Sequence, residues 1–339
     1  MEKKHKVAVL LNKAMAKSIL SDEDIAFLQG FADTNPLDEL PEEMTEDFMK
    51  QAIAGADACL TCWGTPGITE DVLAAADALK LVSHAAGSIK HMIPANFWDG
   101  KRRITSNAPV IAEDVAQTTL AFILTSLGNL WGFARSTREG RWNGGEAGLF
   151  KTKKLNGLQV GVVGASKVGQ EVIKALKPFD CIINLYDPMV SPMEAEMLGV
   201  KLFPNLDDML PLCDVITLHA PPVESCRHLI NKNNAPLIKD GALFVNTARG
   251  MLVDEAALIK ELETGRIFAC IDVTDPEPPV EDHPFRKLEN VVLTPHIAGG
   301  HTENGRKRLG RCAIMEIYNY LSRGILLREV RQEMLKGMA

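Results

Sequence analysis

The chain has 339 residues, 46% hydrophobic and 24% charged, which excludes a disordered or collagen-like chain and a small stapled scaffold and suits two domains. Thirty-seven Lys and Arg against 44 Asp and Glu leave a net charge of −7, which speaks against a large basic surface for nucleic acid or an anionic membrane. Seven cysteines, an odd number, suit reduced thiols in the cytoplasm better than a disulfide framework.

The N-terminus, a basic stretch and the short apolar run from Val7 to Leu11, lacks the pattern of a signal peptide, and no stretch is expected to span a membrane. Strand-like runs at Val7 to Leu11, Ala56 to Cys62 and Leu81 to His84 alternate with helical patterns near Asp22 to Gln29 and after Thr69. That spacing predicts parallel strands with crossover helices. Cys59 and Cys62 have the spacing of a redox pair but stand at a strand end, where no helix start lowers a thiol pKa, so they read as structural. From Pro109 a helix that is apolar nearly all round is predicted to be buried. Trp131 and Trp142 suit core packing, a cleft or a subunit contact equally.

After the glycine-rich stretch at 138–145, apolar runs recur at Gln159 to Val163, Cys181 to Tyr186, Asp214 to His219, Ala242 to Asn246, Ile267 to Ile271 and Val291 to Leu293. Asp254 is placed to cap a helix ending near Gly265. The pattern is that of a doubly wound α/β sheet, whose ligands sit at the carboxyl ends of the strands. A last helix is predicted from Thr302 to Ser322, with Arg306, Lys307, Arg308 and Arg311 read as a solvated face or a local anion contact.

Two groups of residues carry chemistry. In Gly164-Ala165-Ser166-Lys167-Val168-Gly169, between a strand and a helix, Gly164 can make a tight turn and Gly169 allows close packing. The amides at the helix start, Ser166 to Val168, face a pyrophosphate in such turns. Ser166 replaces the middle glycine, where it could crowd the phosphates or donate a hydrogen bond to them. Asp187, followed by Pro188, ends the next strand about 20 residues after the first glycine, where a carboxylate accepts the ribose hydroxyls and repels a 2′-phosphate. This favours NAD (NADH) over NADP, although a methyltransferase can carry a similar turn. The second group, Arg249, Glu277 and His296, follows late strands. A guanidinium can hold a carboxylate in bidentate geometry, an imidazole can move the hydroxyl proton of a 2-hydroxy acid, and a carboxylate beside it can orient the ring. His219 also ends a strand, and His84 is a weaker candidate base; the other histidines lack comparable partners.

Together with Leu218-His219-Ala220-Pro221-Pro222, these segments resemble the D-isomer-specific 2-hydroxyacid dehydrogenases over about residues 56–324. The resemblance implies an α/β fold of two doubly wound parallel-sheet domains. A Rossmann NAD-binding domain, 108–299, would be inserted into a discontinuous flavodoxin-like substrate domain, 1–107 with 300–339. It implies an oxidoreductase passing a hydride between NAD(H) and a small 2-keto or 2-hydroxy acid bound in an interdomain cleft. Arg249 would hold the substrate carboxylate, His296 would be the acid/base and Glu277 its partner, with Arg249 and His296 also beside the cofactor. Thr119, His219, Ala220, Pro221, Thr247, Ala248, Asp272, Ala298 and Gly299 would contact the cofactor, Asp272 through the nicotinamide amide. Ala86, Gly87 and Ser88 would form the substrate-carboxylate loop. A homodimer is expected, with no metal, no nucleic-acid partner and no membrane. Gln117 stands where the family often has Glu, and the Arg249 to Glu277 spacing is about a residue short. An alternative from another class is an NAD(H)-sensing regulatory or corepressor-like protein on the same fold, which could retain the same trio.

Overall fold

Residues 4–142 and 152–337 are described by the computed structural model, so the glycine-rich stretch at 138–145 lies partly outside the described residues. The strands, in chain order, are β1 (His5–Leu10), β2 (Ala32–Thr34), β3 (Ala58–Thr61), β4 (Leu81–His84), β5 (Arg103–Ser106), β6 (Gln159–Val163), β7 (Ile182–Tyr186), β8 (Lys201–Leu202), β9 (Val215–Leu218), β10 (Leu243–Asn246), β11 (Phe268–Ile271), β12 (Val291–Leu293) and β13 (Glu329–Val330). They form two sheets in two compact units, residues 1–111 with 300–339, and residues 112–299.

In the first unit the order is β13-β5-β4-β3-β1-β2, parallel except for β13, which runs antiparallel to β5. In the second it is β12-β11-β10-β9-β6-β7-β8, parallel throughout, with the direction of winding reversing between β6 and β9. The first is the flavodoxin-like arrangement and the second the Rossmann one. Both sheets are covered on both faces: β3, β4, β9, β10 and β11 are buried at every position, as a sheet with helices on each side requires.

The helices begin where their caps say they should. Ser21 and Asp24 form a reciprocal capping box, Asp254 accepts the Ala257 amide, and Thr302 accepts the Gly305 amide at 3.2 Å. Strands β2, β8 and β13, of two or three residues, lie below the length at which periodicity can be read, and β5 begins with an exposed arginine that breaks its apolar run.

Three expectations change. The helix Ala108–Leu127 is long and apolar enough by composition to cross a membrane, contrary to the sequence reading, but half of it is packed inside the protein. It is not buried all round either. Val115, Thr119, Phe122, Ile123 and Ser126 are buried, whereas Leu124 is exposed, because the described residues cover only one face. Its buried hydroxyls are paired, Thr119 with Thr247 at 2.8 Å and Ser126 with Cys270 Sγ at 3.2 Å, as in a core helix. Trp131 and Trp142 are exposed, not core. The basic residues of the helix Glu303–Arg323 are not simply a solvated face. Lys307 Nζ donates to the carbonyls of Lys17 and Leu20 at the end of the helix Lys13–Ile19, Arg306 donates to Gly300 O and Ser18 Oγ, and Arg311 pairs with Asp24. They join the last helix to the first ones.

Candidate active site

The turn after β6 is built by backbone. Gly164 has φ +97°, and a Cβ there would lie 2.5 Å from the Ala220 amide nitrogen, so only glycine fits. A Cβ on Gly169 would lie 2.1 Å from Gly164 O, which is the close helix-to-strand packing expected of that glycine. Ser166 does something the sequence did not suggest. It is the N-cap of the helix Lys167–Leu176, its hydroxyl oxygen accepting the Gly169 amide at 3.4 Å, which leaves its O–H free to donate. The amides of the exposed Lys167 and the half-buried Val168 open that helix, where backbone N–H groups lack intrahelical partners.

Asp187 ties the turn to the end of β7. Its Oδ2 accepts the Ala165 amide at 2.7 Å and its Oδ1 the Met189 amide at 2.8 Å, while Pro188 is exposed beside it. Each oxygen keeps a second lone pair for a ribose hydroxyl. Across the turn, His219 is buried. Its Nε2 lies 2.8 Å from Thr217 Oγ1, and its Nδ1 has no partner among the described residues. Burial pushes this imidazole down to about 3, so the ring is neutral. Ala220 is buried and Pro221 half-buried next to it. A turn that leaves no room for a Cβ, open helix amides and an orphaned ring nitrogen fit the pyrophosphate and ribose of a dinucleotide.

The carboxyl ends of β10, β11 and β12 are built by side chains instead. Asn246 makes an Asx turn, accepting the Ala248 amide and donating to Arg249 O, which sets Thr247 and Arg249 in place. Half-buried Arg249 donates Nη1 to Ala248 O at 2.6 Å and has no other acceptor among the described residues. Burial lowers its pKa and the charge of Glu277 opposes the fall, so these two groups feel each other. His296 Nδ1 lies 2.6 Å from Glu277 Oε1, with both side chains about two-fifths exposed. His296 itself has φ +54°, a left-handed conformation uncommon for a residue with a Cβ.

Asp272 over-determines that conformation. Its carbonyl accepts the His296 amide at 2.9 Å. Its Oδ1 accepts Thr294 Oγ1 at 2.6 Å and the Ile297 amide at 2.9 Å, and its Oδ2 the buried Ala298 amide at 2.9 Å. Glu277 and His296 line a cavity of about 480 Å³ together with Asp272, Thr274, Thr294 and Arg286. Half-buried Gly299 ends the loop, and Ala298 O accepts Thr118 Oγ1 at 3.0 Å. Gln117 is exposed on the neighbouring turn of that helix.

In the other unit, Ala86 is buried, Gly87 half-buried and Ser88 exposed after β4. Ser106 Oγ and the Asn107 amide take the carbonyls of Gly87 and Ala86, whereas the amides of Ala86 and Gly87 have no acceptor among the described residues. His84 is inside the sheet, its Nδ1 2.9 Å from Thr61 Oγ1, and burial holds its pKa down at about 4, which removes it as a candidate base. Cys59 and Cys62 are buried thiols; burial pushes Cys62 up to about 12 and Cys59 higher still, the reverse of a reactive pair.

The family model described as "D-isomer specific 2-hydroxyacid dehydrogenase, NAD binding domain" matches residues 120–298. The chain belongs to this family. It is 34% identical to a D-3-phosphoglycerate dehydrogenase of Methanocaldococcus jannaschii over 86% of this chain and 55% of that protein. To a hydroxypyruvate reductase of Thermotoga maritima it is 30% identical, over 84% of this chain and 91% of that one. The chain thus spans about half the length of the 3-phosphoglycerate dehydrogenases it matches. A phosphoglycerate oxidoreductase from Rhizobium etli has the same fold, with a TM-score of 0.81 at 22% identity over 97% of this chain and 99% of that one.

NAD(H) is accordingly the cofactor of the second unit. Among the cavity residues, sequence reasoning passed over Thr274, Thr294 and Arg286. Thr294, two residues before His296, was within reach of notice. Its hydroxyl bond to Asp272 depends on how the loop folds back, which spacing does not encode.

Proposed function

We propose that this chain transfers a hydride between NAD(H) and a small 2-keto or 2-hydroxy acid, with His296 moving the proton. The observation that carries this reading is the 2.6 Å contact of Glu277 Oε1 with His296 Nδ1 at the cavity. A carboxylate only accepts, so Nδ1 carries a proton and Nε2 is left to give or take one at the substrate oxygen. The bound cofactor supplies or accepts the hydride. Glu277 orients the ring through that contact. The unsatisfied part of the Arg249 fork takes the substrate carboxylate.

Asp187 makes NADH the preferred form, since a 2′-phosphate would meet its carboxylate. A homodimer is part of the proposal, because Leu124, Leu130 and Trp131 leave apolar surface uncovered on the second unit.

The test is the loss of NADH absorbance on adding glyoxylate, hydroxypyruvate, pyruvate and longer 2-keto acids, repeated with NADPH. Turnover with at least one acid, faster with NADH, is expected. Tight NADH binding without turnover on the whole panel would overturn the reading.

A further inference from the structure

Glu255 opens the helix Glu255–Glu263, where a first-turn glutamate ordinarily faces solvent. Here only 13% of its side chain is exposed, and its neighbour His283 is 12% exposed. Glu255 Oε1 accepts the Asp275 amide at 3.0 Å, and Oε2 lies 3.1 Å from His283 Nε2. His283 Nδ1 accepts the Phe285 amide at 3.3 Å, so the neutral ring carries its proton on Nε2 and donates it to Glu255. The ring also packs on Phe285, a buried core residue, at 4.8 Å between centroids. Burial pushes the Glu255 carboxyl up, and the Asp275 amide and His283 pull it back.

The peptide that Glu255 holds is fixed from two further sides. A Cβ on Gly250, the residue after Arg249, would lie 2.1 Å from the Thr274 carbonyl carbon and 2.5 Å from the Asp275 nitrogen. Thr274 Oγ1 donates to Pro276 O at 2.9 Å. Two residues beyond Asp275 stands Glu277, whose carboxylate meets His296 at 2.6 Å.

We infer that Glu255 and His283 are positioning residues for the acid/base pair, acting through the Asp275 amide to hold Glu277 against His296. The inference rests on the role proposed above for Glu277. A loop held only by its own backbone would leave the carboxylate free to swing, and a misplacement of about 1 Å in such a site costs on the order of a hundredfold in rate. The pair also registers the loop against the turn of Arg249, since Gly250 abuts the same peptide.

The test uses the full chain with NADH and whichever 2-keto acid it reduces best. Glu255→Ala is expected to lower kcat about tenfold to a hundredfold while KM for NADH stays within about twofold. Glu255→Gln, which keeps an acceptor for the Asp275 amide, restores most of the loss. Because Glu255 acts through Glu277, the double variant E255A/E277A should be no slower than E277A alone. Additive losses, or an unchanged kcat in E255A, would overturn the inference. If E255A does not fold, His283→Asn takes its place in the same cycle with E277A. Hydrogen exchange supplies a readout independent of catalysis: protection of the Asp275 amide should disappear in E255A and persist in E255Q. Equal protection in wild type and E255A overturns the inference. A wild-type chain that reduces no 2-keto acid defeats the proposed function instead and leaves the exchange measurement to decide the positioning role.

Discussion

The glycine turn at Gly164 and the loop of His296 stand at carboxyl ends of the same sheet but are built by opposite means. The turn is shaped by what is missing: no Cβ at Gly164 or Gly169, open amides at a helix start, and Ser166 capping that helix. The His296 loop is shaped by what is added. Asp272 accepts three hydrogen bonds through its carboxylate and one through its carbonyl, and Glu277 meets a ring held in an uncommon backbone conformation. A backbone site tolerates almost no added atom, whereas a side-chain site tolerates shape changes but not loss of a partner. Damage at the first should appear in cofactor affinity and at the second in rate.

The sharpest break in that contrast comes from His296→Gln. It is expected to lower kcat by about 10²- to 10⁴-fold while KM for NADH stays nearly constant in steady-state kinetics, because only the proton transfer is removed. Gly164→Ala should do the reverse. With φ +97° and a clash against Ala220, NADH affinity should fall about a hundredfold, roughly 2.8 kcal/mol, in a fluorescence titration, with a lower Tm. Wild-type affinity in that variant would remove the backbone argument. Arg249→Ala should raise KM for the keto acid about tenfold to a hundredfold, the scale of a lost charged hydrogen bond, and leave NADH binding alone.

A smaller effect compares the two sheets. His84 and His219, one in each unit, are held neutral by burial at about 4 and about 3 against an ordinary 6.5. The unfolded chain therefore binds more protons between those values, and stability present above pH 6.5 is lost as the pH falls toward them. The slope is about 1.4 kcal/mol per pH unit for each ring. Denaturant unfolding at a series of pH values should show it, and His84→Gln should remove one ring's share. The smallest change is expected from Asp187→Ala, a shift of about tenfold or less in the preference for NADH over NADPH. An unchanged ratio would free Asp187 of its assigned ribose role and leave only its bonds to the Ala165 and Met189 amides.

The strands legible from sequence were those that stand out as short, mainly apolar runs between helical patterns. Gln159–Val163 and Leu81–His84 have the limits read from the sequence, although Ser83 and His84 are polar, because strands of a parallel sheet covered by helices are mainly apolar. β2, β8 and β13 escaped because a strand of two or three residues is specified by its neighbours' free edges, not by its own pattern. The Glu277–His296 contact was foreseeable from chemistry, since a histidine that moves protons needs an orienting carboxylate. What could not be read was how the two are held. Asp272 reaches across to residues 294–298, and Glu255 reaches the Asp275 amide; both bonds depend on how loops return. The contacts of the last helix's basic residues depend on the same return of the chain: Lys307 reaches carbonyls near the chain's start, whereas Arg311 meets Asp24, the local anion contact that the sequence reading allowed.

The most direct test of the central claim follows the hydride itself. The chain would be incubated with NADH deuterated at C4 of the nicotinamide and the best 2-keto acid of the panel, and the product examined by mass spectrometry and chiral chromatography. The account predicts one deuterium at C2 of a D-2-hydroxy acid in the wild-type chain, with the yield collapsing in His296→Gln. Unlabelled product, or no reduced acid at all from wild-type protein that binds NADH, would contradict it.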